Sequence, residues 1–308
     1  MKQTAAADIP VVFFHNGPSQ TIVTACIAQA KAVGCKRIFI ISDRIGPWAL
    51  LPGVHHFPFA HAEKYGALEF RSVFVNYSSY SESYASVIFE KFFALRAMFE
   101  MYSLDRLLYV DSDVLLYKSV EELNAAYQCD FTGTSFPIDN HETVSAGFLF
   151  LNPKVCDSIC ESMIAAYRDG EGRERLQKLW ERKKAIDPSF GICEMDFMGF
   201  LRDSGKFHYI RVNEGNPCID GAFNDLEGCV GENGLKKISF ENGMPYAIRE
   251  ATGEKVFLYN LHMQGGLKYL AIHYAQISTL YKRLLYALWR LENRGLLKWP
   301  KWPSRTAA

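Results

Sequence analysis

What this 308-residue sequence lacks narrows it first. Its 34 basic and 34 acidic residues cancel, so no overall field draws it toward nucleic acid. None of its eight cysteines belongs to a CxxC pair, and the closest two, Cys156 and Cys160, have helical i,i+4 spacing within an apolar stretch. That excludes a zinc knuckle and a disulfide framework, and the expectation is reduced, buried thiols. No run of ~18 apolar residues is there to span a membrane, and Met1–Asp8 lacks the apolar core of a signal peptide. There is no internal repeat and no low-complexity segment. A cytoplasmic globular protein is the default expectation, and 49% apolar residues suffice for a sizeable core.

The chain opens as alternating strands and helices. Ile9–Phe14 is an apolar run ending in His15-Asn16-Gly17-Pro18, the pattern of a buried strand entering a turn. Ile22, Cys26, Ile27, Ala30 and Val33 follow at helical spacing and stop at Gly34, a fitting C-terminal cap. Arg37–Ile41 is the next strand and runs into Ser42-Asp43. Strand, helix, strand at this spacing is a βαβ unit and implies a parallel sheet. Ligands of such sheets sit beyond the carboxyl ends of the strands, which here carry His15, Asn16, Ser42 and Asp43. Val87–Tyr102 reads as an amphipathic helix through Ile88, Phe92, Leu95 and Phe99. Arg106–Val110, Phe148–Leu151 and Val256–Leu261 read as strands and Arg173–Lys184 as a charged helix. Residues 213–245, rich in Gly, Asn and Pro, read as long loops around short strands.

The sharpest feature is RLLYVDSDVLL. Asp111 and Asp113, two apart on an extended chain, face one side with Cα atoms ~6.5–7 Å apart and can converge on one cation at a strand end. Such oxygen donors suit Mg²⁺ or Mn²⁺, ions that usually share their shell with substrate phosphates. The segment His262-Met263-Gln264-Gly265-Gly266-Leu267-Lys268 adds an imidazole, which Mn²⁺ accepts more readily than Mg²⁺. It also adds glycines at which backbone can approach a ligand closely and an ammonium that neutralises a phosphate. Two carboxylates, an imidazole and an ammonium together suit a metal-bound diphosphate.

On these two segments, strand–DxD–apolar and then H-x-x-G-x-x-K about 150 residues later, the chain resembles the family 8 glycosyltransferases over roughly residues 9–270. The resemblance implies a GT-A fold over 1–270, a Rossmann-like α/β architecture with a mostly parallel sheet flanked by helices, leaving 271–308 as a basic helical tail. It implies Mn²⁺ (or Mg²⁺) on Asp111, Asp113 and His262, and a donor diphosphate on Lys268; Ser112 and Gly265, beside these residues in the two segments, are expected to contact the donor as well. Lys91 matches the family's basic residue on the helix before the DxD strand. A UDP-sugar donor and retention of anomeric configuration are implied too, with His15, Asn16, Ser42 and Asp43 near the base and ribose. Two departures fall where the sugar ring would lie: Ser145-Ala146-Gly147 replaces the family's Asn-Ser-Gly, and Glu194-Met195-Asp196 its Asp-Gln-Asp.

Breaking the bond from sugar C1 to a diphosphate puts negative charge on the leaving oxygen, which a divalent ion and a lysine stabilise as it forms. The anomeric carbon gains oxocarbenium character that carboxylates stabilise. Glu194 and Asp196, read as an acidic pair on a loop, are the expected catalytic carboxylates, with Asp139 and Glu142 behind them. The acceptor is expected to be a glycan. Two other readings share these features. A sugar-phosphate nucleotidyltransferase usually opens with a Gly-rich loop and a basic residue, which His15-Asn16-Gly17-Pro18 does not supply. A non-catalytic nucleotide-sugar or glycan-binding module would not need both aspartates, the histidine and the lysine.

From residue 270 onward seven basic residues stand against one acid, Glu292. Ile277–Arg294 carries a helical apolar stripe, and Trp299-Pro300-Lys301-Trp302-Pro303 follows. Basic residues beside tryptophans suit an anionic membrane interface, so peripheral contact with the inner face and a lipid-linked glycan acceptor are expectations. The alternative is a helix packed on the catalytic domain.

Overall fold

The computed structural model describes residues 9–138, 141–168 and 170–301. Five strands form the central sheet in the order Val54–Pro58, Ile38–Ser42, Val11–His15, Leu107–Asp111 and Phe148–Leu151. The first four are parallel, and Phe148–Leu151 is antiparallel to its neighbour. Side chains alternate between the two faces. Val11, Phe13, Ile38, Ile40, Leu108 and Val110 enter one core, while Val12, Phe39, Ile41, Leu107 and Tyr109 enter the other. Both faces are apolar because helices cover both: Gln20–Ala32 on the first, Glu82–Tyr102 and Pro153–Arg168 on the second. This is the mostly parallel, helix-flanked α/β sheet expected from the sequence.

The chain lays its second and third sheet strands on one side of Val11–His15 and the fourth on the other. The order therefore reverses between Val11–His15 and Leu107–Asp111, and a crevice opens beyond their carboxyl ends. His15 and Asp111 are the last residues of those two strands.

The expected strand Val256–Leu261 is two short strands in different sheets. Lys255–Phe257 pairs with Met244–Ile248, and Asn260–His262 pairs antiparallel with Val114–Leu116. Between them the amides of Leu258 and Tyr259 bond to Pro245 and Cys218, so the chain changes partners there. All eight cysteines are free, six of them buried. No helix among the described residues is long and apolar enough to cross a membrane.

The helix Thr279–Asn293 lies against Gln20–Ala32, burying Leu285 and half-burying Tyr281, Tyr286 and Trp289. The residue before Gln20–Ala32, Ser19, makes no capping bond with its own side chain. Glu292 does this instead, from the far end of the sequence. Its Oε1 accepts from the Gln20 and Thr21 amides at 3.0 and 3.1 Å, and its Oε2 accepts from Ser19 Oγ at 3.1 Å. A carboxylate at a helix N-terminus satisfies otherwise unpaired N–H groups and meets the positive end of the helix dipole. Beyond the helix the Ile45 amide donates to the Pro300 carbonyl at 3.0 Å. Replacing Glu292 by Ala is expected to cost about 1–2 kcal/mol, read as a lower urea midpoint; an unchanged midpoint would mean that water caps the helix equally well.

Candidate active site

Asp111 ends its strand with its carboxylate on the face shared by Tyr109, two residues back. Tyr109 Oη donates to Asp111 Oδ1 at 2.5 Å, and the Asp111 amide bonds the Gly147 carbonyl at 3.0 Å. Ser112 and Asp113 form a turn into Val114–Leu116, so the aspartates converge across a turn rather than along an extended chain. Val114 pairs with His262, and the Met263 amide donates to the Asp113 carbonyl at 3.0 Å. Backbone pairing thus brings residue 262 beside residues 111 and 113. His262 Nε2 lies 3.4 Å from Asp113 Oδ1 and 3.9 Å from Asp111 Oδ2. One ligand atom from each of the three falls within 4.8 Å of the others.

Cations surround these carboxylates. Lys268 Nζ is 3.0 Å from Asp113 Oδ2. Lys91, buried on the helix Glu82–Tyr102, has its Nζ 2.9 Å from Glu194 Oε1 and 3.9 Å from Asp111 Oδ1. Burial alone would raise the Asp113 carboxyl, but the hydrogen bond and charge of His262, with Lys268, hold it down at about 2. For His262 burial works toward the neutral ring, and Asp113 and then Asp111 outweigh it, lifting the imidazole to about 8. Burial also opposes the charge on Lys91, and Glu194 and Asp111 overcome it, so this ammonium is raised. Burial, helped by Lys268, drives His15 down to about 4.

These groups line one cleft of about 730 Å³, within the range of small-molecule sites. It contains Asp111, Ser112, Asp113, His262, Gly265 and Lys268, together with His15, Asn16, Lys91 and Glu194. Ser78, Tyr80, Tyr84 and Phe190 line it too. A hollow of similar size around Arg175, Arg182 and Phe200 is more open and holds none of them.

Three expected residues lie elsewhere. Ser42 is fully buried and its Oγ accepts from the Arg44 amide at 3.1 Å, while Asp43 lies beside the Arg44 guanidinium at 3.8 Å; neither lines the cleft. Asp196 is the clearest correction. The acidic pair read as a loop is the first turn of the helix Glu194–Asp203. There Asp196 caps its own helix, accepting from the Cys193 amide at 2.9 Å, and both its oxygens take Lys183 Nζ at 2.8 and 2.9 Å. With no exposure, it holds the wall of the cleft and does not reach into it. Asp139 and the Glu142 side chain lie outside the described residues.

The sequence reading missed Tyr109, although alternation along the strand puts it on the face of Asp111. It also missed Gly147, the last residue of Ser145-Ala146-Gly147, as a close neighbour of the His262 ring. A Cβ on Gly147 would stand 2.6 Å from His262 Cε1 and 3.3 Å from Asp111 Oδ2.

No family model and no curated protein matches the sequence. Solved structures do. The bifunctional glycosyltransferase WbbM aligns with a TM-score of 0.51 at 11% identity, over 93% of this chain and 52% of that one, so this chain spans about half of WbbM. The fold is of the GT-A type. An active-site mutant of LgtC (TM-score 0.49, 12% identity, 92% of this chain and 100% of that one) and mouse xyloside xylosyltransferase 1 (0.48, 12%, 67% and 85%) also align.

Gly147→Ala is expected to displace the imidazole and cost about 1–3 kcal/mol, as overpacked sites do. Denaturant melts with His262 ring shifts by NMR check this, and native values in both would show that the neighbours make room for the methyl.

Proposed function

We propose that this protein is a metal-dependent glycosyltransferase, moving a sugar from a nucleoside-diphosphate donor, UDP-sugar in our reading, to a glycan acceptor with retention of configuration. The observation that carries the reading is the convergence of Asp111, Asp113 and His262 at the reversal of strand order. Adjacent ligands held about 2.1 Å from an octahedral ion lie about 3 Å apart, and separations of 3.4 and 3.9 Å fit a shell that closes slightly on binding. Two carboxylates and one imidazole, with no thiol among them, suit Mn²⁺ or Mg²⁺. Held there, the ion would supply positive charge for the diphosphate oxygens.

The chain's own groups account for the rest. Lys268, half-exposed at the rim of the cleft, has its ammonium where a phosphate would replace Asp113 as its partner. Glu194, held by Lys91, is the carboxylate in the cleft for charge developing at the anomeric carbon. His15 and Asn16 lie at the strand end where a nucleoside would bind, and His15 Nε2 is buried without a partner among the described residues, an atom in need of one. With Mn²⁺ and a UDP-sugar but no acceptor, the enzyme is expected to release UDP slowly by hydrolysis. Asp113→Asn and His262→Ala should each lower that release by at least about 100-fold. Formation of UTP and sugar 1-phosphate on adding pyrophosphate, in place of UDP, would make the protein a nucleotidyltransferase, and no turnover of the nucleotide sugar by the wild type would leave a binding module.

The tail supports a second element of this reading, peripheral attachment to an anionic membrane that bears a lipid-linked acceptor. On the docked helix Leu280 and Leu284 are 79% and 52% exposed, and Leu296 beyond it is 71% exposed, among the basic residues of the tail. Full-length protein should float with vesicles containing anionic lipid and not with neutral ones. Leu280→Glu with Leu284→Glu should abolish flotation, and equal flotation of the double variant refutes the attachment.

A further inference from the structure

Residues 213–245 read in the sequence as connecting loops, but part of this segment closes around His262. The His262 amide donates to Asp220 Oδ2 at 2.9 Å, its ring Nδ1 meets the Gly221 carbonyl at 2.9 Å, and its carbonyl accepts from the Phe223 amide at 2.9 Å. A carbonyl can only accept, and it makes the shorter of the two contacts at Nδ1 (Gln264 Nε2, at 3.2 Å, donates to the same Gly221 carbonyl), so Nδ1 is assigned the proton. In the neutral ring Nε2, the atom nearest Asp113, is therefore the lone-pair nitrogen.

Asp220 is fixed in turn. Its amide donates to Asn260 Oδ1 at 2.7 Å, and its Oδ1 accepts from Lys236 Nζ at 2.5 Å. Lys236 also donates to the Ala222 carbonyl at 3.0 Å and to Glu227 Oε2. Its three ammonium protons thus have three acceptors, and the Lys236 and Asp220 side chains are 1% and 0% exposed. Burying such a pair costs several kcal/mol per ion, and apolar residues of similar volume often serve stability as well or better. Stability alone therefore gives no reason for this pair to stand behind His262.

We propose that Asp220 and Lys236 are positioning residues that hold the backbone and ring of His262 so that Nε2 faces the Asp111 and Asp113 carboxylates. The proposal rests on the metal site of the proposed function. Neither residue lines the cleft; Asp220 acts through His262, and Lys236 through Asp220. Outer partners of metal-bound histidines typically carry 10–100-fold in metal affinity.

The test is Mn²⁺ binding by the full-length protein without donor or acceptor, followed by the EPR signal of free Mn²⁺ alongside thermal melts. Wild type is expected to bind and Asp113→Asn to lose binding. Asp220→Asn and Lys236→Met, measured where folded, should each bind about 10–100-fold more weakly. A purely structural role would lower their melting temperatures and leave the affinity of the folded protein unchanged; affinity within twofold of wild type therefore overturns the proposal while the metal site stands. If wild type itself binds no Mn²⁺, or Asp113→Asn binds as well as wild type, the metal site falls and the proposal with it. Should neither brace variant fold, Gly221→Ala decides. Its methyl would stand 2.7 Å from Phe136 Cζ and shift the carbonyl that holds Nδ1, so weakening of about 10-fold or more is expected, and unchanged affinity overturns the proposal.

Discussion

Two carboxylates held close together in a partly buried site repel one another and lose hydration, and the arrangement persists only if cations stand beside them. Asp111 and Asp113 meet this constraint with His262, Lys268 and Lys91, each within 4 Å of one or both. The three cationic groups come from distant parts of the sequence: a helix before the acidic strand, a strand some 150 residues after it, and the turn beyond that strand. The acidic pair therefore sets a demand that the topology has to meet. It does so through the pairing of Val114 with His262, which brings the late segment to the end of the sheet.

The same demand explains why Lys91 is buried in the helix Glu82–Tyr102. Glu90 and Lys91 are both almost fully buried in an otherwise aromatic stretch. Glu90 takes the Arg71 guanidinium through both oxygens, and Lys91 turns to Glu194 and Asp111. Lysine and glutamate are rarely buried without such partners. Lys183 and Asp196 repeat the pattern at the base of the Glu194 helix. The ion pairs thus form supports around the cleft, and they fix walls whose apolar packing alone would leave polar side chains free to rotate.

The legible part of the fold was what local periodicity encodes. Alternation in Leu107–Val110 and helical spacing after Ile22 depend on neighbours in sequence, and both elements formed where expected, as did the acidic pair at a strand end. The parts that could not be read depend on pairings between distant segments. Nothing near Asp196 in sequence distinguishes it from Glu194, because Lys183, which takes it out of the cleft, lies on a separate helix. Asp220 and Lys236 sit in a Gly- and Asn-rich stretch with no period to interpret; Asp220 holds His262, 42 residues away, and Lys236 reaches it only through Asp220. The tail was ambiguous for a related reason. A stripe of apolar residues says that a helix face will be covered, and only the packing on the helix Gln20–Ala32, with the Glu292 cap, shows what covers one side of it.

Glu194 and Asp196 show how one motif can be divided between a cleft and its wall. Placed two apart at the start of a helix, they project in different directions, since a helix turns about 100° per residue. One therefore faces the crevice while the other turns back into the helix end. An i,i+2 pair can bring its carboxylates together in a strand or across a turn, as Asp111 and Asp113 do, and diverges in a helix. Two acidic pairs of the same spacing thus have opposite outcomes in this chain, and the difference lies in the backbone that carries each. Spacing becomes evidence for a shared ligand only once the secondary structure beneath it is known.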